Sequence, residues 1–182
     1  MKRLQAGFSL TELLVSLTLS SFLLLAMSSL LIAGKTNWQH QLRLTSAQEI
    51  ERYTVVQLRR AIRQAEQVDE DSHPGLLILQ YRAVEGSRNC LGQLQDAGQL
   101  YQDRFHVSDD QLRCNGQALI NGVDQIYFSY GVDLNGDGRV LAEEYFDQPH
   151  CCFPVRSVGF ELQLSGDPAP EQQHYSAALR RY

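Results

Sequence analysis

The sequence predicts an α+β fold, one long N-terminal helix packed on an antiparallel β-sheet. Three observations predict it. Between positions 8 and about 68 there is no proline and a single glycine, Gly34, so one helix can run for about 90 Å at a rise of about 1.5 Å per residue. Residues 69–75 then gather acidic and turn-forming side chains and end on His73-Pro74-Gly75, a cluster that stops a helix. Beyond it, apolar residues recur at every second position, the period of strands.

The helix begins in an apolar stretch. Lys2 and Arg3 precede it, and no charged residue occurs between Leu13 and Gly34, about the 20 residues that cross a bilayer as a helix. The basic end is expected in the cytoplasm and the remainder on the far side. A cleaved secretory signal, cut near Ala26-Met27-Ser28, is the competing reading, but its apolar region runs for only about 7–15 residues. A plain anchor does not account for Glu12, since a carboxylate within such a segment costs roughly 2.5–3.5 kcal/mol if central and unpaired.

Past Gly34, the apolar residues Trp38, Leu42, Ile50, Val55, Leu58, Ile62, Ala65 and Val68 follow mostly three- and four-residue steps. That spacing marks one stripe expected to pack on the sheet. Arg43, Arg52, Arg59, Arg60 and Arg63 lie among polar residues of the same segment. They read as a solvated face with ion pairs to Glu49, Glu51 and Glu66.

Strands are expected at 76–83, with Leu77, Leu79 and Tyr81 alternating, then at 99–107, 111–114, 125–132, 157–165 and 174–182. In the 125–132 segment Ile126, Phe128, Tyr130 and Val132 share one face. There is no internal repeat. With 182 residues, of which 43% are hydrophobic and 20% charged, the chain beyond its N-terminus suits one globular domain. A net charge of −5 argues against a general nucleic-acid binder, which needs a basic surface. Cys90, Cys114, Cys151 and Cys152 make an even count behind an export-type N-terminus, a combination that favours disulfides in an oxidising compartment.

The segment Gly7-Phe8-Ser9-Leu10-Thr11-Glu12-Leu13-Leu14-Val15 resembles the prepilin cleavage and methylation motif of type IV pilins and type II secretion pseudopilins. The resemblance implies a pilin-like fold and a leader at 1–7, removed after Gly7 by a prepilin peptidase that methylates the new terminus, Phe8. Residues 8–34 would then form the transmembrane and filament-core helix, and 35–182 a periplasmic globular domain that includes the second half of the helix. Glu12 becomes the fifth mature residue, and its carboxylate can pair with the terminal amine of a neighbouring subunit in an apolar environment. Further along, Cys90-Leu91-Gly92, Leu112-Arg113-Cys114, Leu119-Ile120-Asn121-Gly122-Val123-Asp124 and Tyr130-Gly131-Val132-Asp133 are similar to stretches of PilW-type minor pilins, which are related to the J-type minor pseudopilins. That similarity implies a priming or tip subunit working with other minor pilins, the major pilin and an inner-membrane assembly platform. The chain would be a single-pass inner-membrane protein that ends in an extracellular filament. Two alternatives stay open, a pseudopilin at the tip of a secretion filament and a tip-displayed adhesin.

Residues 133–144 fit the twelve-residue calcium-loop pattern. Asp133, Asn135 and Asp137 supply side-chain oxygens, Arg139 its carbonyl and Glu144 two more oxygens, with Gly138 at the bend. The preceding segment alternates like a strand, so a structural calcium loop between non-helical elements is expected, against a plain Asn-Gly and Asp-Gly turn. Cys90 and Cys114 flank a hairpin-sized segment, and a bond between them would contribute about 3 kcal/mol by loop entropy. Other pairings, including a vicinal Cys151–Cys152 bond, remain open. There is no Gly-x-Ser-x-Gly, no His-Glu-x-x-His and no phosphate-binding glycine loop, and the five histidines are scattered. No enzyme is expected.

Overall fold

The computed structural model describes residues 9–150, 152–165 and 174–180. The expected leader, the Gly7-Phe8 junction and Cys151 lie outside the described residues. The chain divides into two compact units, Met1–Ser46 and Ala47–Tyr182.

Helix α1 spans Leu10–Gln64. Its first unit is an apolar helix whose large side chains, from Leu10 through Ile32, all face outward. Trp38 and Leu42 are exposed too, which corrects the expectation of a buried stripe running from Trp38. The stripe begins only where the second unit supplies something to pack on. Val55, Leu58, Ile62 and Ala65 are buried there, with Ala47, Ile50, Ala61 and Val68 packed at the margin. The helix ends short of Val68 because the chain peels into a sheet: the Glu66 N–H donates to Gln80 O at 2.8 Å and the Asp69 N–H to Ile78 O at 3.0 Å.

The expected antiparallel strands form two sheets rather than one. In the first, β1 (Gln67–Val68), β2 (Leu76–Arg82), β3 (Leu100–Ser108), β4 (Gln111–Cys114) and β5 (Gln117–Asn121) lie in chain order. In the second, β6 (Val123–Val132), β7 (Tyr145–Phe146), β8 (Val155–Leu164) and β9 (His174–Ala178) take the order β7-β6-β8-β9. Two tight hairpins account for the local pairing of β3, β4 and β5. Asp109 and Asp110 both adopt φ of 55°, and Asn115-Gly116 takes φ of 50° and 80°, the left-handed pair that matches strand twist.

Apolar side chains from α1 and both sheets make one core. Leu77, Leu79, Phe105 and Leu112 meet Ile126, Phe128, Tyr130, Val158 and Phe160 within it. The buried face predicted for 125–132 is the observed one. The His73–Leu76 turn is held to the second sheet by polar contacts: the Tyr130 hydroxyl donates toward His73 O and Leu76 O at 3.0 and 3.1 Å, and the Phe128 N–H donates to Pro74 O at 2.8 Å. Burial holds the Tyr130 phenol well above its usual pKa, so it remains a donor. The arginine face differs from expectation. Arg59 lies over the Tyr175 ring at 5.5 Å, Glu51 accepts the Tyr175 hydroxyl, and Glu66 pairs with Arg82 at 3.4 Å. The sheet thus recruits charges that helix spacing alone assigns to one another.

Candidate functional site

Three groups of residues carry chemistry. The first is the start of α1. Ser9 precedes the first turn and Glu12 follows three residues on, the spacing of a capping box, and the Glu12 carboxylate accepts the Ser9 N–H at 3.1 Å. Glu12 therefore satisfies one of the backbone donors that a helix start leaves unpaired. The hydroxyls farther along satisfy themselves in the same helix. Ser16, Thr18, Ser21, Ser28, Ser29 and Thr36 donate to carbonyls three or four residues back at 2.7–2.9 Å. A polar group within lipid needs this internal partner. The helix is long and apolar enough to cross a membrane.

The second group is the loop at 133–144, which joins β6 to β7. Asp133 accepts the N–H groups of Gly136 at 2.8 Å and Gly138 at 3.0 Å. Asn135 accepts from Asp137 at 2.9 Å, and Asp137 from Arg139 at 2.7 Å. Glu144, 5% exposed, closes the loop by accepting the Leu134 N–H at 3.3 Å and the Leu141 N–H at 2.8 Å. The donors are all oxygens, the kind a hard cation takes. Among the described residues, however, Asp133, Asp137 and Glu144 are not a trio whose ligand atoms lie within 4.8 Å of one another. The loop is anchored beneath by Tyr145 and Val140, which lie over Gly131 of β6. A Cβ at Gly131 would stand 2.7 Å from Val140 Cγ1.

The third group was read from the sequence only in part, with Asp103 missed. Cys90 and Cys114 are bonded, as their spacing predicts, and Asp103 on β3 joins them: its ligand atom and the two sulfurs lie within 4.8 Å of one another. Asp103 is 3% exposed. It accepts the Cys90 N–H at 2.9 Å and the Asn115 side-chain amide at 3.0 Å. Burial nevertheless raises its pKa above the ordinary carboxylate value, since desolvation outweighs the Asn115 and Cys90 hydrogen bonds. The sequence held one signal: with Tyr101 and Phe105, Asp103 falls on a single strand phase, so it is an acid in an apolar alternation.

Elsewhere, His150 accepts the Cys152 N–H at 3.2 Å and sits between the rings of Phe146 and Phe153, a packing role.

Comparison with known families matches residues 2–28 to the prokaryotic N-terminal methylation motif. No curated protein and no solved structure matches the chain. The motif supports a protein of pilin or pseudopilin type, structural rather than enzymatic. It implies processing by a prepilin peptidase in a pilus or secretion assembly context. Together with the apolar helix it supports membrane anchoring.

Proposed function

We propose that the protein is a minor type IV pilin that helps to prime pilus assembly. The observation that carries the reading is Glu12, an acidic residue at the head of an exposed apolar helix and inside the matched motif. Among the described residues of one chain the carboxylate has only the Ser9 N–H. Cleavage after Gly7 creates a positive amine at Phe8, and a charged group of that kind on a neighbour is the stronger partner in a medium of low dielectric. Glu12 thereby sets the register between subunits, and methylation at Phe8 leaves that amine charged.

In this reading residues 1–7 are the leader, 8–34 the membrane and filament-core segment, and 35–182 the periplasmic domain. The chain crosses the inner membrane once and then joins other minor pilins and the major pilin on the assembly platform. Deleting the gene while counting sheared surface pili and secreted enzymes in one culture tests this. Lost pili with normal secretion is the expected result, with rescue by the intact gene and not by Glu12→Ala. Normal pili with lost secretion assigns the chain to a secretion pseudopilin instead, and neither defect favours a tip-displayed binding module.

The loop at 133–144 is proposed to take a structural calcium ion through Asp133, Asn135, Asp137, the Arg139 carbonyl and Glu144. Its support is the all-oxygen donor set and the turns that orient it. Binding must draw Glu144 inward from the Leu134 and Leu141 amides. Calcorimetric titration of the full chain in detergent micelles is the check: heat of calcium binding lost in Asp133→Asn and Glu144→Gln agrees with it, and none in the intact chain leaves a polar turn.

A further inference from the structure

The two sulfurs of the disulfide have unlike surroundings. Cys114 lies on β4 and is 0% exposed. Cys90, half-buried in the connection between β2 and β3, lines a cleft of about 230 Å³ whose walls include Arg60 of α1, Arg88 and Asn89. Asp103 lies in the same cleft wall. The Asn115 amide bridges this group, donating to Asp103 at 3.0 Å and toward Cys90 Sγ at 3.4 Å. A carboxylate is costly to bury, and here it is buried against a disulfide bond.

We propose that the Cys90–Cys114 bond is a thiol–disulfide exchange site, attacked from the cleft at Cys90 Sγ, with Asp103 passing a proton to and from the buried Cys114 sulfur. The co-reactant is an external thiol or disulfide. In the opening direction its thiolate attacks Cys90 Sγ and a mixed disulfide forms there. The Cys90–Cys114 bond breaks, its electron pair goes to Cys114 Sγ, and the Asp103 carboxyl proton follows. Closure is the reverse: Asp103 takes the Cys114 thiol proton, Cys114 attacks Cys90, and the external thiolate leaves. A thiolate is the attacking species in either direction, and a thiolate without a proton source is disfavoured in the apolar core around Cys114.

Burial keeps the Asp103 carboxyl protonated to higher pH than usual, which suits it to both halves of the exchange. Among the described residues, the other titratable and charged groups around it are the Tyr81 and Tyr101 phenols from β2 and β3, and Arg60 and Arg88 across the cleft. The arginines favour a negatively charged attacker.

The test uses the full chain in detergent micelles, with glutathione disulfide as probe and the modified position read from peptide masses. In Cys114→Ser, Cys90 is expected to take up glutathione about tenfold or more faster than Cys114 does in Cys90→Ser, through its greater access. Equal or reversed rates overturn the order of attack. For the reduced intact chain, Asp103→Asn is expected to slow closure by about 100-fold, the low end of general-base assistance. Its rate should then fall about tenfold per pH unit below the thiol range, as thiolate alone dictates, while the intact chain falls less steeply. A variant that closes at the same rate with the same profile overturns the role of Asp103. If Asp103→Asn does not fold, the intact chain decides alone: a tenfold fall per pH unit throughout overturns the proposal, and a shallower one sustains it.

Discussion

Leu24 and Leu58 lie on one continuous helix, yet Leu24 is 65% exposed and Leu58 is 0% exposed. The backbone hydrogen bonding is the same at both, so the difference lies in what each side chain can pack on. In the first unit the apolar surface goes all round the helix and its described side chains are exposed, which is the pattern of a segment whose solvent is lipid or neighbouring helices. In the second unit the apolar residues narrow to one stripe, and both sheets close over it. Helix length therefore says nothing about burial here; the width of the apolar surface does.

The largest test of this contrast is a matched pair of truncations. Leu58→Ala should destabilise the second unit by about 2–5 kcal/mol, because a cavity opens in a packed core, while Leu24→Ala leaves that unit's unfolding unchanged. Urea unfolding of the full chain in micelles, followed by tyrosine fluorescence, reads both. Equal effects would break the division between the two units.

Reducing the Cys90–Cys114 bond comes next, because it acts only on the second unit. The bond spans 24 positions, and its loss should cost about 3 kcal/mol through the freed unfolded chain. A shift of that size in the urea midpoint, absent from the helicity of the first unit, is the expected result.

Two glycines give a subtler comparison. Gly131 has no room for a methyl group, with Val140 Cγ1 at 2.7 Å from an added Cβ, while Gly34 has nothing within 4 Å. Gly131→Ala should cost about 1–3 kcal/mol by overpacking. Gly34→Ala, in the exposed helix, should add about 0.5–1 kcal/mol of helix stability. Opposite signs in thermal scans by circular dichroism would sharpen the contrast, and like signs would remove it.

The smallest expected effect is a slope with pH. Asp103 has a folded-state pKa raised from its ordinary 3.8, so its contribution to stability is fully present below that ordinary value and is lost as pH rises through the raised one. Unfolding midpoints between about pH 3 and pH 7 should therefore fall less with rising pH in Asp103→Asn than in the intact chain. An unchanged slope would mean that the carboxylate is better compensated than its burial implies.

Much of this was legible along the chain. The proline-free run and the 69–75 turn cluster located the helix, and the alternation of Ile126, Phe128, Tyr130 and Val132 identified a strand and its inner face. The Asn115-Gly116 pair is a hairpin signal whose partner strand, β5, goes unseen because Gln117–Asn121 is mostly exposed and weakly alternating. The short strands β1 and β7 carry no pattern of their own, since two residues form a strand only when a neighbour offers its edge.

The site divides in the same way. Glu12 was readable because a lone carboxylate in an apolar run stands out by composition, and Cys90 with Cys114 because they flank a hairpin-sized segment. What the sequence by itself determined, then, was whatever depends on neighbours a few positions away: period, caps, turns and the length of the apolar segment. The tertiary structure alone decided the split into two sheets, the end of the stripe at Ala47, the capture of Glu51 and Arg59 by Tyr175, and the meeting of Asp103 with the disulfide. Those contacts join residues far apart in the chain, and their energies depend on burial and distance, which no local pattern encodes.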